Sequence, residues 1–187
     1  MNAERARLGA LASEDSGLLY QWINTRELVT LNGGYRPVHG VSHAEWFARI
    51  QKQSDCVIFG IRLAPSSVLI GTCQLHSIHP VHRSAELQIR IGAADCRGKG
   101  YGTQAMQQLL EFGFRDLNLH RIHLHVLANN QAALRLYRRF HFQEEGKMRS
   151  AIYVDGNYQD VVLMGLMRDE FDASPESFGA ISASKIQ

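Results

Sequence analysis

Hydrophobic positions recur at helical spacing in two separate stretches near the start of the chain. The first helix is predicted to begin at residues 13–15, where Ser, Glu and Asp precede an apolar face. The second is predicted to begin near Ser42, a candidate N-cap. A short first strand is predicted at 5–11, and the glycine- and proline-broken stretch 31–40 between the helices is predicted to be a loop.

Beyond residue 55 the hydrophobic pattern changes to the period of two that is typical of strands. At 85–92, Leu87, Ile89 and Ile91 alternate with polar side chains, which predicts a strand with one buried face. Helical spacing returns at 102–118 and 130–140, and the remaining strands are predicted at 56–64, 67–78, 121–128, 142–154 and 158–168. This order of elements predicts an α/β or α+β protein in which helices flank a mixed sheet.

The length of the chain suits one domain with a sizeable core. It has 187 residues, of which 45% are hydrophobic and 20% are charged, as in ordinary globular proteins. We predict a single domain over residues 1–171. The remaining residues, 172–187, are small and polar without any period, which predicts a disordered tail.

Charge and cysteine content exclude several classes of function. The chain has 20 Lys and Arg against 18 Asp and Glu, so we expect neither nucleic acid nor a membrane as a partner. No apolar run reaches the roughly 20 residues that span a bilayer, and the N-terminal segment lacks the apolar core of a secretory signal. Cys56, Cys73 and Cys96 are odd in number and have no metal-ligand spacing, which predicts reduced thiols and a cytoplasmic location.

A glycine-rich turn, CRGKGYGTQA at 96–105, comes directly after the predicted strand at 85–92 and opens the next helix. Its spacing does not fit the two common nucleotide loops. Thr103 stands where a dinucleotide-binding fingerprint needs its third glycine, and Lys99 lies between two glycines, unlike the lysine of a Walker loop. Backbone N–H groups at a helix N-terminus, with Arg97 and Lys99 nearby, still make an anion site. Donors spread over several residues favour a pyrophosphate, and a turn without a ligand stays open as the alternative.

Two motifs together resemble the signatures of the GCN5-related N-acetyltransferase (GNAT) superfamily. The spacing Arg97-x-x-Gly100-x-Gly102 is similar to its acetyl-CoA pyrophosphate signature, and NQAALRLYRRFHF at 130–142 is similar to its second signature, NxxAxxLYxxxGF. The resemblance covers residues 6–171, and His141 stands where the family usually has glycine. It implies a mostly antiparallel sheet of about seven strands with splayed central strands, flanked by about four helices. It also implies acetyl-CoA as co-substrate, without a metal.

Within that superfamily, the order of elements and the segment HPVHRSAELQI at 79–89 look like the branch of ribosomal-protein and polyamine acetyltransferases. Spermidine acetyltransferases carry an acidic loop between the first two helices, whereas LNGGYRPVHG at 31–40 has no carboxylate, which argues against spermidine. The resemblance implies direct transfer of acetyl to a primary amine. A small-molecule acceptor (amino sugar, polyamine or antibiotic-like amine) is favoured over a protein N-terminus. A CoA-binding sensor or scaffold without turnover is the alternative of another class, and a homodimer is a further implication.

The resemblance also gives roles to individual residues. Tyr137 is the candidate general acid: its phenol, with a pKa of about 10, carries a proton at neutral pH and would donate it to the thiolate, whose thiol has a pKa of about 8.5. Glu86, on the polar face of its strand, is the candidate general base, with a water chain as the alternative. Asn32, Tyr35 and Glu86 are candidate substrate contacts. The candidate acetyl-CoA contacts are Ile89, Ile91, Arg97, Gly98, Lys99, Gly100, Tyr101, Gly102, Thr103, Asn130 and Ala133.

Two further sets of residues suggest chemistry that we expect this protein not to use. His123 and His125 share a strand face, but the sequence places no third metal ligand and the family needs no metal. Cys96 adjoins the glycine turn, but no His–Asp pair accompanies it. Direct transfer is therefore favoured over an acetyl-cysteine intermediate.

Overall fold

Seven strands and six α-helices make up residues 4–173, the part of the chain that this computed structural model describes. The strands are β1 (Arg5–Gly9), β2 (Val57–Ala64), β3 (Leu69–His79), β4 (Ser84–Ile91), β5 (Arg121–Leu127), β6 (Gln143–Val154) and β7 (Asn157–Met167). The helices are α1 (Ser16–Ile23), α2 (Arg26–Val29), α3 (Gly40–Ile50), α4 (Tyr101–Glu111), α5 (Gln131–Arg139) and α6 (Arg168–Ala173). Short 3-10 turns precede α1 and α4, and a π-helical turn follows α4.

All seven strands form one mixed sheet in the order β1-β2-β3-β4-β5-β7-β6. Every neighbouring pair is antiparallel except β4 and β5, which run parallel. That parallel pair is short: it joins Ser84 to Arg121, Ala85 to Ile122 and Glu86 to His123, and no further pairs of these strands are recorded in the described part of the chain. The two central strands therefore separate after Glu86, and the predicted fold with its splayed centre is confirmed.

Because side chains along the strands point alternately to opposite faces, the sheet has a hydrophobic core on each of its two faces. On one face of the sheet Leu87, Ile122 and Leu124 pack in the main cluster with Met106 and Leu109 of α4. On the other face α1, α2 and α3 bury a smaller cluster, which consists of Leu19, Trp22, Leu28, Phe47 and Leu69. The polar faces of β3 and β4 thus lie beneath α1 and α3, where an active site can be built.

Helix boundaries differ from the sequence expectations in three places. Ser42 is not an N-cap: the backbone is extended at His39 (φ −78°, ψ 150°), so α3 begins at Gly40 and Ser42 lies within its first turn. The short helices α2 and α6 add to the four that were predicted. Helix α6 continues to Ala173, two residues past the predicted domain end, and the rest of the predicted tail, 174–187, lies outside the described residues.

Candidate active site

The turn between β4 and α4 depends on glycine at two positions. Gly98 (φ +73°) and Gly100 (φ +83°) have left-handed backbones, and a Cβ at either would meet nothing within 4 Å, so the backbone conformation itself selects glycine. The N–H of Gln104 donates to the carbonyl of Gly100 (3.2 Å). The N–H groups of residues 101–103 lie before that bond and have no acceptor within the helix. This is the geometry of an anion site at a helix N-terminus.

Gly102 marks the point where three elements of this site meet. A Cβ built there would lie 3.9 Å from Ile91 at the end of β4 and 4.0 Å from Leu136 in α5. Tyr137, the next residue of α5, belongs to the main core cluster, and Ile89 and Ile91 pack against that cluster. The start of α4 and the free end of β4 therefore lie against α5, the helix that carries Tyr137.

Arg97 holds the turn against the strand. Its Nε donates to the carbonyl of Ile91 (3.1 Å) and its Nη2 to the carbonyl of Gly92 (2.9 Å). The carbonyl of Ile91 is therefore already engaged, and a contact of Ile91 with acetyl-CoA stays a prediction. Ile89 pairs with Cys73 of β3 on one side, and its other side faces the opening between β4 and β5. Lys99 is exposed beside the turn, where its charge adds to the anion site.

Tyr137 is 6% exposed and packs against Phe142, with ring centroids 5.8 Å apart. Burial raises the pKa of Tyr137 to about 12. The phenol is therefore protonated at every physiological pH. It is a weaker acid than a free thiol, whose pKa is about 8.5, so complete proton transfer to the thiolate is unfavourable, and the role of Tyr137 as general acid stays a prediction.

Asn130 is the N-cap of α5, and it also links this helix to the loop between α2 and α3 by a hydrogen bond. Its side-chain oxygen accepts from the N–H of Ala133 (3.2 Å), and its Nδ2 donates to the carbonyl of Leu31 in the loop between α2 and α3 (3.0 Å). Asn130 therefore satisfies one of the free N–H groups at the start of α5. The same bond occupies the Ala133 N–H, so contacts of Asn130 and Ala133 with acetyl-CoA stay predictions.

Glu86 and His125 face each other where β4 and β5 separate, with Oε1 2.9 Å from Nδ1. Both side chains are partly exposed, at 27% for Glu86 and 40% for His125. His123 lies on the same strand face as His125, and its Nδ1 is buried without a hydrogen-bond partner among residues 4–173. Burial lowers the pKa of His123 below its ordinary value, which keeps this imidazole neutral at pH 7.

A cavity of about 630 Å³ lies between the polar face of the sheet and helices α1 and α3. Trp22 and Trp46 form part of its wall, and Gln88 and Arg90 of β4 form part of its floor. Gln88 accepts a hydrogen bond from Gln74 of β3 (2.8 Å). Trp22 also lies against the end of β4: a Cβ on Gly92 would come within 2.2 Å of its indole ring. Trp22 thus connects the cavity wall to Gly92, just after β4 and four residues before the glycine turn begins at Cys96.

The predicted substrate contacts of the loop lie to one side of this cavity. Asn32 is exposed, and the guanidinium of Arg26 lies 5.3 Å from the ring centroid of Tyr35. Arg26 also forms an ion pair with Asp155 in the β6–β7 turn. Val38 is the residue of this loop that lines the cavity. The roles of Asn32 and Tyr35 stay predictions.

Two residues have places in the site that the sequence did not indicate. His125 was considered only as a metal ligand, yet it is the hydrogen-bond partner of Glu86. Arg90 was noted only as a polar residue of its strand, yet it lines the cavity. The alternation that places Glu86, Gln88 and Arg90 on one face was the available signal, but the space above that face depends on where α1 and α3 pack.

Within residues 4–173, no group of three or more His, Cys, Asp or Glu side chains is arranged to hold a metal ion. The three cysteines are unpaired; Cys73 and Cys96 are buried and Cys56 is partly buried. In the same part of the chain, no helix has the length and hydrophobicity needed to cross a membrane.

A parallel pair of strands that separates beside a glycine turn, with a helix starting at its open end, is the arrangement of CoA-dependent N-acyltransferases. The family model described as "Acetyltransferase (GNAT) domain" matches residues 5–143, and the chain belongs to this family. The resemblance inferred from the two motifs is thereby confirmed.

Several relatives are similar over part or most of the chain. A spermidine N(1)-acetyltransferase of Vibrio cholerae is 40% identical over 103 residues, which are 55% of this chain and 59% of that protein. An uncharacterized N-acetyltransferase, p20, of Bacillus licheniformis is 30% identical over 90% of this chain and 96% of its own length. The crystal structure of the Vibrio cholerae spermidine N-acetyltransferase in complex with CoA and spermine has a TM-score of 0.82 at 30% identity, covering 89% of this chain and 98% of that one. A further structure of the Vibrio cholerae enzyme is dodecameric.

Proposed function

We propose that this protein is an acetyl-CoA-dependent N-acetyltransferase that transfers acetyl directly to the primary amine of a small molecule. The observation that carries the proposal is the separation of β4 from β5 after Glu86, next to a helix whose first N–H groups are free. The extended arm of acetyl-CoA that carries the thioester fits between β4 and β5, beside Ile89, in the position of an additional strand. The pyrophosphate then meets the N–H groups of residues 101–103, with the charge of Lys99 nearby.

The reaction requires one bond to form and one to break. The lone pair of the neutral amine attacks the thioester carbon, the N–C bond forms, and the C–S bond breaks to release CoA as thiolate. The ammonium form of the acceptor must first lose a proton, for which Glu86 is the base that we propose. Tyr137 donates a hydrogen bond to the sulfur as charge develops. The attacking nitrogen loses its extra proton as the amide forms, and the released thiolate takes up one proton, so that the products are the amide and the CoA thiol.

The acceptor that we propose is a small amine, in line with the Vibrio cholerae relative that was solved with CoA and spermine. The cavity of about 630 Å³ lies within the range of pockets that hold small ligands. Two alternatives remain for the experiment below to decide: a peptide N-terminus as the acceptor, or a CoA-binding module without turnover. We further propose a cytoplasmic location, in line with the unpaired cysteines, and self-association, in line with the dodecameric relative.

Thiol release from acetyl-CoA across a panel of amines and short peptides tests the proposal. The expected result is thiol release that depends on a small amine, with an acetylated product of matching mass. Release with peptides alone would replace the acceptor class with protein N-termini. Tight binding of acetyl-CoA by calorimetry, without thiol release for any acceptor, would favour the binding module.

A further inference from the structure

The cavity beneath α1 and α3 runs along the face of β4 that carries Glu86. Glu86, Gln88 and Arg90 alternate on this face, and their partners across β3 are His76, Gln74 and Thr72. Of these six, all but Glu86 line the cavity. A strand rises about 3.3 Å per residue, so Arg90 lies about 13 Å from Glu86 along β4. His76, the partner of Glu86, does line the cavity, so a small molecule that spans this floor extends from Arg90 toward the end of β4 that carries Glu86.

Arg90 enters the cavity without a partner of its own. Its Nε is buried and has no hydrogen-bond acceptor among the described residues, and within the same range no carboxylate forms an ion pair with it. Burial lowers the pKa of the guanidinium below its ordinary value. A partly buried cation without a counter-charge is unfavourable, and an anionic ligand would compensate for it.

The other charges around the cavity do not suit a polycation. Asp55 is the one carboxylate among the described cavity-lining residues, and its carbonyl accepts from the N–H of Ile78 (2.9 Å) at the far end of β3. Thr72, opposite Arg90, is six residues away from Ile78, or about 20 Å along the strand. The walls between are apolar and aromatic, with Trp22 and Trp46 among them.

We propose that the acceptor is a small amine that also carries an oxyanion, a carboxylate or a phosphate, which Arg90 binds while the amine faces Glu86. The proposal rests on the proposed acetyltransferase function and names its substrate class. Arg90 suits this task because a guanidinium binds carboxylate and phosphate through paired N–H groups. The hydrogen-bonded pair Gln74–Gln88 forms a polar floor between the two ends, and the tryptophans cover the body of the ligand.

Tryptophan fluorescence can report binding without any turnover, because both tryptophans of the chain line this cavity. The probes are aminohexanoate, aminohexyl phosphate, hexylamine, diaminohexane and spermidine, titrated into the full-length protein with CoA present. The two anionic probes are expected to bind at least about tenfold more tightly than the other three, as a charge-assisted pair implies. Comparison of the two anionic probes tells carboxylate from phosphate. Equal binding of hexylamine, or tighter binding of spermidine, would overturn the proposal.

The variant Arg90→Gln should abolish the preference for anionic probes and leave hexylamine unchanged, whereas Arg90→Lys should retain part of it. Arg49→Gln is the matched control, because Arg49 is exposed on α3 and does not line the cavity. A preference that survives in Arg90→Gln would show that another group binds the anion. If Arg90→Gln unfolds, the titration of the wild-type protein still decides the question.

Thiol release with the same probes separates this proposal from the proposed function. Binding of the anionic probes, together with no thiol release from acetyl-CoA for any probe, amine or peptide, would contradict the enzyme and leave the anion site standing. Thiol release at equal rates with hexylamine and aminohexanoate would contradict the anion site and leave the enzyme standing.

Discussion

The carboxylate of Glu86 lies 2.9 Å from the imidazole of His125, at the point where β4 and β5 cease to pair. Glu86 is the last residue of β4 that pairs with β5, whereas His125 lies in the part of β5 that no longer pairs with β4. A carboxylate in this position can accept a proton from an amine that enters the opening, and the histidine fixes its orientation. We therefore predict that Glu86 acts as the base and that His125 positions it.

We expect Glu86→Gln to lower kcat about a hundredfold or more near neutral pH, the usual contribution of a positioned base. The KM for acetyl-CoA should not change, because the substitution keeps the shape of the side chain and lies away from the glycine turn. Steady-state thiol release with varied acetyl-CoA measures both constants.

His125→Asn is the matched variant for this prediction. It removes the imidazole and leaves Glu86 in place, so kcat should fall less than in Glu86→Gln. If kcat of Glu86→Gln stays within about twofold of wild type, far below the effect of a lost general base, a water chain takes the proton and Glu86 is structural.

Tyr137→Phe should lower kcat strongly while the affinity for CoA and the melting temperature stay close to wild type, because the ring still packs against Phe142. Since burial raises the pKa of Tyr137 to about 12, the phenol keeps its proton well above pH 9. Any alkaline fall of kcat between pH 8 and about 10 must therefore have another origin. Wild type and variant should show the same relative pH profile there; a fall seen in wild type alone would mean that the phenol ionises early.

Gly100→Val should weaken CoA binding at least about tenfold, because a β-branched side chain does not tolerate φ +83° and the turn must rearrange. Gly156→Val is the matched control. Gly156, in the turn between β6 and β7, has φ +84°, so the same substitution brings similar strain away from the site. Calorimetry with CoA should show weakened binding only for Gly100→Val. Equal affinities of the two variants for CoA would mean that the glycine turn does not bind CoA.

Local pattern predicted the elements of this fold well. Alternation of Leu87, Ile89 and Ile91 identified both the strand and its buried face, because a period of two follows directly from strand geometry. The glycines were traced to a turn before a helix, and Gly98 and Gly100 have the left-handed backbones that only glycine adopts readily.

Contacts across the sheet could not be predicted in the same way. The register of a parallel pair is set by packing of whole elements, so nothing near Glu86 in the sequence indicates that His125 will face it. The same limit applies to Arg97, whose charge suggested a phosphate contact but whose guanidinium donates to two carbonyls. It applies to Arg90 as well, because α1 and α3 come from distant parts of the chain.

His141 occupies a left-handed position (φ +63°) just past Phe140, the C-cap of α5, where its N–H donates to the carbonyl of Arg138 (3.0 Å). This is the helix-terminating position that glycine usually takes. His141→Gly should raise the free energy of unfolding by about 0.5–1 kcal/mol, since relief of left-handed strain exceeds the added backbone entropy. Urea denaturation measures the change. No gain, or a loss, would mean that the imidazole makes a stabilising contact.

Arg121 and Glu145 form an ion pair across Gly165, whose missing side chain leaves room for both groups. The hydrogen bond from Arg121 is the main cause that lowers the pKa of Glu145 below its ordinary value of 4.5. A carboxyl whose pKa is lowered by folding contributes stability above its unfolded pKa and loses that contribution as the pH falls through the folded pKa. Glu145→Gln should therefore destabilise the protein at pH 7, by less than about 1 kcal/mol for so exposed a pair, and the difference from wild type should shrink as the pH falls below 4.5. Glu144→Gln, at the exposed neighbouring position, is the control. Thermal melts at a series of pH values from 7 downwards make the comparison. A difference that does not change with pH would mean that packing, and not charge, accounts for the effect.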